Sequence, residues 1–341
     1  MADMITIMNT IRDNGLAEYG ARVPVLTQTN LSEVGSAILQ YPDTTEQFLS
    51  LLVNRIAMVI VEAKTFSNPL NILKKGGIPL GNGVQDIYVN PAKAKTFDPS
   101  GLQLLEIKRP DVKVIYHTMN RKDQYVVSFT KEQLKQAFVS MGDLNNLLTA
   151  TINSLYSGDN MDEFILTKNL IADSITKGLM KNVTVGAIDT VGGVTSLVKS
   201  IKKVSSLMAY ANSNFNSYLD AQPAVGGDTE PVITWTPKPQ QLILIRSDVM
   251  VDISVDVLAA AFNLSKVEFL SRLVEVDSFG TAVNTLAMLC DESYFKIFDN
   301  EKSVTNFTNP SNLTTTFFYN HWQTYSVCTF ANAVAFSLVT V

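Results

Sequence analysis

The chain has 341 residues, more than the roughly 250 to 300 at which a single core stops growing, so two lobes are expected. Apolar residues make up 46% and charged residues 17% against a usual share of about 25%, which excludes intrinsic disorder and points to surface withdrawn from water by partner subunits. A net charge of -5 excludes a grip on nucleic acid through a broad basic face, because phosphate contacts need clustered Lys and Arg.

Residues 1–43 carry no sustained periodicity and include the turn-like run ARVPVLTQTN. They read as an arm with one short helix, Leu31 to Gln40, lying on a neighbouring subunit. Thr44-Thr45-Glu46-Gln47 has the capping-box pattern ahead of Phe48, Leu51, Leu52 and Ile56 at helical spacing. A helix is predicted there, followed by an apolar strand from Ala57 to Val61. From Lys64 to Ser128 the pattern changes: Pro69, Pro79, Pro91, Pro99 and Pro110 interrupt it and only short strand patterns remain. Val112, Val114 and Tyr116 alternate, as do Tyr125, Val127 and Phe129, so two strands frame a long projecting loop that reaches another subunit.

Thr130-Lys131-Glu132-Gln133 is a second capping box. It opens the strongest helical pattern, with Leu134, Ala137, Phe138, Met141, Leu144, Leu148, Ile152 and Leu155 on one face and a stop at Ser157-Gly158-Asp159. This spine is roughly 26 residues, or about 39 Å. Two further helices follow, Asp162 to Lys177, closed by Gly178 in a left-handed cap, and Ser196 to about Ala211. A loop spans Asn212 to Gln241 and precedes the strand Leu242 to Ile245. Val255 to Phe262 and the segment opened by Ser265-Lys266-Val267-Glu268 read as short helices. Strand-like runs then occupy Leu273 to Val276, Thr285 to Leu289, Tyr294 to Phe298, Thr315 to Tyr319 and Tyr325 to Phe330. The sum is an α+β protein.

Chemistry-bearing residues are sparse. Of the two histidines, His321 sits between aromatic strands and reads as a hydrogen-bonded structural group, whereas His117 ends a strand beside a polar turn and reads as solvent-facing. The two cysteines, Cys290 and Cys328, form no CxxC pair and read as buried thiols. In Lys74-Lys75-Gly76-Gly77-Ile78-Pro79-Leu80-Gly81-Asn82-Gly83, Gly76 and Gly81 have the phosphate-loop interval. Asn82 and Gly83 replace the Lys and Ser/Thr that would hold phosphate and magnesium, so the glycines read as positive-φ turn residues and the lysines as a soluble tip open to carboxylates. Asp162 and Glu163 diverge by about 100° on a helix and cannot share a proton. Asp248, Asp252 and Asp256 lack the order of a calcium loop. Lys199, Lys202 and Lys203 line a polar helix face, solvated on the plain reading and touching packaged polyanion on the sharper one. The N-terminus lacks a signal-peptide pattern and FANAVAFSLVTV is too short to cross a bilayer, so a cytoplasmic chain with no membrane contact is expected. No catalytic residue, cofactor or metal is expected.

The sequence resembles the major capsid proteins of the small short-tailed, protein-primed double-stranded DNA phages, the Salasmaviridae or phi29-like group. The resemblance is carried in collinear order by Glu33 to Leu39, Asn68-Pro69-Leu70, Lys74 to Gly81, Ala137 to Ser140, Asp252 to Asn263, Phe269-Leu270, Val276-Asp277, His321 to Thr324 and Phe330 to Phe336. It implies the Hong Kong 97 capsid fold. On that fold residues 1–43 are an N-terminal arm, 44–63 begin the peripheral domain, and 64–128 are the extended loop over an adjacent subunit. Residues 129–166 are the spine helix and peripheral domain, 167–300 the axial domain, and 301–341 return to the peripheral domain. The implied contact residues between subunits are Asn68, Pro69, Lys74, Lys75, Ile78 and Leu80. The implied partners are other copies of the chain in pentamers and hexamers, a separate scaffolding protein, a portal or connector, and packaged double-stranded DNA through weak non-specific contacts. No immunoglobulin-like decoration domain is expected. A shell of the same fold around an enzyme cargo, as in encapsulins, is the alternative; a soluble enzyme would need convergent titratable groups that the histidine and cysteine counts disfavour.

Overall fold

The computed structural model describes residues 4–41, 43–45, 47, 48, 51, 66–79, 83–97, 99, 107–133, 141–188, 191–221, 230–251, 272–312 and 314–339. The chain divides into two compact units, one of residues 1–68, 121–163 and 299–322, the other of 69–120, 164–298 and 323–341.

The first unit opens with three helices, α1 (Met4–Asn14), α2 (Ala17–Arg22) and α3 (Leu31–Gln40). Only α3 was expected, and its bounds are those read from the sequence. Met8, Ile11, Tyr19, Val34 and Ile38 are buried in one cluster with Phe48, Phe129 and Phe317 of the same chain. The turn-like ARVPVL run folds back on α1, where Asn9 holds both backbone groups of Leu26 at 2.8 and 3.0 Å and Arg12 donates to the Val23 and Gly20 carbonyls. Helices this short repeat their apolar face too few times for a period to register, so tertiary clasping decides them. Residues 43–45, 47, 48 and 51 are helical, but the first capping box does not form: the helix already includes residue 43, and the Thr44 hydroxyl donates to the Ile38 and Tyr41 carbonyls, both at 2.8 Å, instead of capping. The strand expected at Ala57 to Val61 lies outside the described residues.

Strand β4 (Arg121–Thr130) lies beside β10 (Thr314–Val327), which lies beside β9 (Phe295–Asn309). The runs Thr315 to Tyr319 and Tyr325 to Phe330, expected as separate strands, belong largely to the single strand β10. Its inward positions continue through the buried polar residues His321 and Gln323, and Thr324 on the opposite face is buried as well. Thr130 and Gln133 exchange the two bonds of the second capping box at 3.1 and 3.2 Å. The following helix, α4 (Met141–Thr176), runs straight through Ser157-Gly158-Asp159, where a stop was expected. Asp159, ordinarily a poor helix-interior residue because it competes for backbone donors, is instead buried and occupied by other side chains. Gly178, at φ +68°, then ends the helix as predicted. The expected spine face from Leu134 to Ile152 lies outside the residues whose side chains are described, and Leu155 is buried.

The second unit is built on a five-stranded sheet in the order β5 (Lys181–Val185), β11 (Ala333–Leu338), β8 (Thr285–Asp291), β6 (Gln241–Arg246), β7 (Leu273–Val276). β11 runs parallel to β5 and antiparallel to β8. On one face Leu242, Leu244, Met288 and Ala335 pack with Ile171 and Ala172 of α4. On the other, Ile243, Ile245, Leu289, Val334 and Phe336 pack with Leu197, Ile201, Val204 and Met208 of α5 (Val191–Met208). Covered on both sides, its inner strands read as unbroken apolar runs. Residues 323–341 group with 69–120 and 164–298 in the second unit. The short helices expected at Val255 to Phe262 and after Ser265 lie outside the described residues.

The stretch expected as a loop holds a 3-10 turn (Pro69–Leu73), β1 (Lys74–Gly77) and an antiparallel ribbon of β2 (Val84–Val89) and β3 (Val112–His117). Its register runs from Val84 opposite His117 to Val89 opposite Val112.

Candidate assembly surface

Alternation along β2 and β3 gives the ribbon two faces of opposite character. Asp86, Tyr88, Lys113, Ile115 and His117 point into the second unit. Ile87, Val89, Val112, Val114 and Tyr116 point to solvent, paired across the strands as Ile87 with Val114 and Val89 with Val112. Ile87 is 58% exposed and Tyr116 73%, and beyond the ribbon Phe97 and Ile107 exceed 85%. Single exposed apolar side chains are ordinary, but a contiguous face of them marks a contact surface.

The inward face is anchored by polar groups. The Tyr88 hydroxyl donates to the Ile233 carbonyl at 2.6 Å, and Asn90 bonds the Pro231 carbonyl and the Ile233 N–H, both at 2.9 Å. Lys113, though 2% exposed, places its ammonium 5.0 Å from the Tyr218 ring centroid and pairs with Asp111. The solvent-facing reading of His117 is wrong, because the same alternation that buries Lys113 and Ile115 turns its ring inward. Its Nδ1 lies 2.7 Å from Ser326 Oγ and its Nε2 3.1 Å from Asp86 Oδ2. Lys296 donates to Asp86 Oδ1 at 3.1 Å. Burial alone would raise the Asp86 pKa, but hydrogen bonds from His117, Cys328 and Lys296 outweigh it and hold the carboxyl well below the usual carboxylate range. Ser, His and Asp here are the residue types of a hydrolase triad, yet the imidazole is fully sealed from solvent and Asp86 is shared with an ammonium. The arrangement clamps strands together.

Of the contact residues expected from sequence, Asn68 belongs to the first unit, where it is buried and donates to Glu163 Oε1 at 3.3 Å. Pro69 and Lys75 are exposed, Lys74 and Ile78 half-buried, and Leu80 lies outside the described residues. Gly76, at φ +103°, has the positive φ expected of it. The apolar outward face of the ribbon was half missed. Val112, Val114 and Tyr116 were legible as a strand, but VQDIYV has large apolar residues on both faces and so no amphipathic alternation.

A second polar cluster lies in the first unit. His321 is wholly buried, with Nδ1 2.7 Å from Asp159 Oδ1 and Nε2 3.0 Å from Asp299 Oδ1, the structural role expected. Arg121 and the Tyr319 hydroxyl also donate to Asp159, at 2.9 and 3.0 Å. Burial pushes the Asp159 pKa up, but the bond and charge of His321 with those of Arg121 and Tyr319 carry it below the ordinary value. Glu163, Asp299 and His321 stand within 4.8 Å of one another. Asp299 is paired with Lys302 at 3.1 Å and Glu163 accepts a hydrogen bond from the Asn68 amide, so the three groups belong to a packed polar network. Asp162 turns away to Tyr125, the divergence expected from adjacent helix positions. Asp248 pairs with Arg246, while Asp252 and Asp256 lie outside the described residues. Both thiols are buried and unreactive, that of Cys328 pushed up to about 12 by burial and the nearby Asp86. Lys199, Lys202 and Lys203 are exposed along α5. Among the described residues no helix is long and apolar enough to cross a membrane.

The model of the Phi29-like phage major capsid protein family matches residues 8–337. The chain belongs to that family. It is 31% identical over 333 residues to the major capsid protein of Bacillus phage PZA, covering 97% of this chain and 72% of that one. To the major capsid protein of Streptococcus phage Cp-1 it is 27% identical, covering 96% and 92%. Among solved structures it resembles the capsid of Staphylococcus phage Andhra with a TM-score of 0.67 at 12% identity, over 81% of this chain and 85% of that chain. A chain of bacteriophage P68 gives 0.61 at the same identity, covering 81% and 86%. The fold is that of the Hong Kong 97-like phage capsids. The protein is thus a structural subunit of a bacteriophage head shell, located in the virion, and not an enzyme. Membership in this family decides against the cargo-compartment alternative.

Proposed function

We propose that copies of this chain tile as pentamers and hexamers, and that each copy docks the outward face of its β2–β3 ribbon, with the 91–111 segment beyond it, onto an adjacent copy. The carrying observation is the row Ile87, Val89, Val112, Val114 and Tyr116, exposed on a ribbon whose other face is buried. Fully burying one such side chain is worth about 1.5–3 kcal/mol, so the half-exposed row supplies a modest contact that closure of a many-copy shell multiplies. Pro69, Lys74, Lys75, Ile78 and Leu80 flank this surface in sequence and are assigned to the same contact, whereas Asn68, expected with them, is buried and bonded to Glu163 of its own chain. The sheet body of 164–298 with 323–341 is read as the axial domain facing the capsomer centre. Residues 1–68, 121–163 and 299–322 are read as the peripheral domain. A separate scaffolding protein and a portal complete assembly. The acidic net charge, with Lys199, Lys202 and Lys203 as a local exception, supports weak and non-specific contact with packaged double-stranded DNA.

The test is the double variant Ile87→Asp with Val114→Asp. It is expected to stay folded and soluble while closed shells disappear from sedimentation profiles and electron micrographs. Normal shells from that protein would overturn the docking assignment.

A further inference from the structure

The outward face of the ribbon can dock well only if the ribbon itself is held, and the groups that hold it lie off the docking face. We propose that Asp86 and His117 are positioning residues for shell assembly, clamping the base of the β2–β3 ribbon to the sheet body so that its apolar face is presented pre-oriented to the next copy. This rests on the reading of that face as the docking surface.

The geometry carries the proposal in three steps. His117 closes the ribbon register opposite Val84, where the ribbon joins the body, and Asp86 lies on the same inward face one diagonal away. Their partners come from two body strands, Lys296 from β9 and Ser326 from β10, with the Cys328 thiol just beyond β10 as a further donor to Asp86. The far end of the ribbon is tied differently, by Tyr88 and Asn90 to the backbone of residues 231–233.

The chemistry explains why polar groups do this work. Apolar packing is non-directional and tolerates sliding or rotation of a two-stranded ribbon. A carboxylate shared between an ammonium and an imidazole fixes distance and direction together. One neutral tautomer satisfies both ends of the imidazole, Nε2–H donating to Asp86 and Nδ1 accepting from the Ser326 hydroxyl. A ribbon held this way loses little conformational freedom when it docks, so association keeps more of the contact energy.

The experiment uses the full chain carrying Asp86→Asn, Lys296→Met or Ser326→Ala, each tested for melting, amide hydrogen exchange and assembly. Ser326→Ala is expected to melt like wild type, and Asp86→Asn and Lys296→Met a few degrees lower because each leaves one charge of the pair unmatched, with the body still folded in all three. Exchange at residues 84–89 and 112–117 should accelerate about ten-fold in Asp86→Asn and Lys296→Met. The concentration giving half-maximal shells should rise about ten-fold in the same two variants and about three-fold in Ser326→Ala. Ribbon amides exchanging at the wild-type rate would overturn the proposal, as would fast exchange with unchanged assembly. Unfolding of the body in all three variants would equally overturn it by making the cluster a folding element. The Ile87→Asp, Val114→Asp protein separates the two ideas. Normal shells from it refute the docking face itself, whereas lost shells from it beside normal shells from the clamp variants refute the clamp alone.

Discussion

The ribbon and the five-stranded sheet share strand geometry and much of their composition, yet they solve opposite problems. In the sheet, β6, β8 and β11 are buried along nearly their whole length because α4 covers one face and α5 the other. In the ribbon the face carrying Asp86, Lys113 and His117 is spent on the body and the more apolar one is left to solvent. The first satisfies itself within one chain; on the proposed docking the second is completed by a neighbouring copy. A shell subunit needs both, since it must fold alone before it meets its neighbours.

The sharpest way to break the comparison is to damage the sheet. Phe336→Ala empties a fully buried position on the inner strand β11 and should cost about 3–5 kcal/mol, enough to leave most of the chain aggregated on expression. A soluble subunit with an unchanged melting temperature would show that the sheet is not the folding core.

Next in size is the His321 network, which tests whether buried polarity serves folding in the first unit. Asp159→Ala strands Arg121 and His321 without their shared acceptor and should cost about 3 kcal/mol. The pH dependence follows from the lowered pKa of Asp159. A carboxyl depressed in the folded state contributes stability that is fully present above its unfolded value, near 3.9, and is lost as pH falls through the folded value. Denaturant melts of the wild-type chain should therefore weaken below about pH 4, and Asp159→Asn should flatten that slope. Parallel profiles for the two proteins would remove Asp159 from the acid response.

Smallest on folding are the surface charges, which sharpen the contrast from the assembly side. Lys74→Glu with Lys75→Glu and Lys202→Glu with Lys203→Glu should each leave the melting curve within about 0.5 kcal/mol. Only the first pair, adjoining the ribbon in sequence, should reduce the shell fraction in sedimentation. Equal assembly from both would detach these two lysines from the contact.

Several features were plain from sequence because they are local. Reciprocal bonds between Thr130 and Gln133, and the left-handed cap at Gly178, depend only on residues a few positions apart. The same holds for α3, β7 and most of β6, whose side-chain pattern is dictated by one helix face or by a short apolar run. Collinear segments shared with phage capsid proteins also point to the family, because each is a contiguous run that needs no fold to be read.

What tertiary structure alone decided is which partner each element finds. The run after Phe330 is apolar enough for several fates, and only pairing with both β5 and β8 makes it the strand next to the sheet centre. Ser157-Gly158-Asp159 looks like a stop until Arg121, Tyr319 and His321 converge on Asp159 from distant positions. His117 looks exposed until Ser326, more than two hundred residues away, meets it. Local codes set short-range bonds, whereas burial and charge pairing are properties of neighbours brought together by the whole chain, and no short window of sequence contains them.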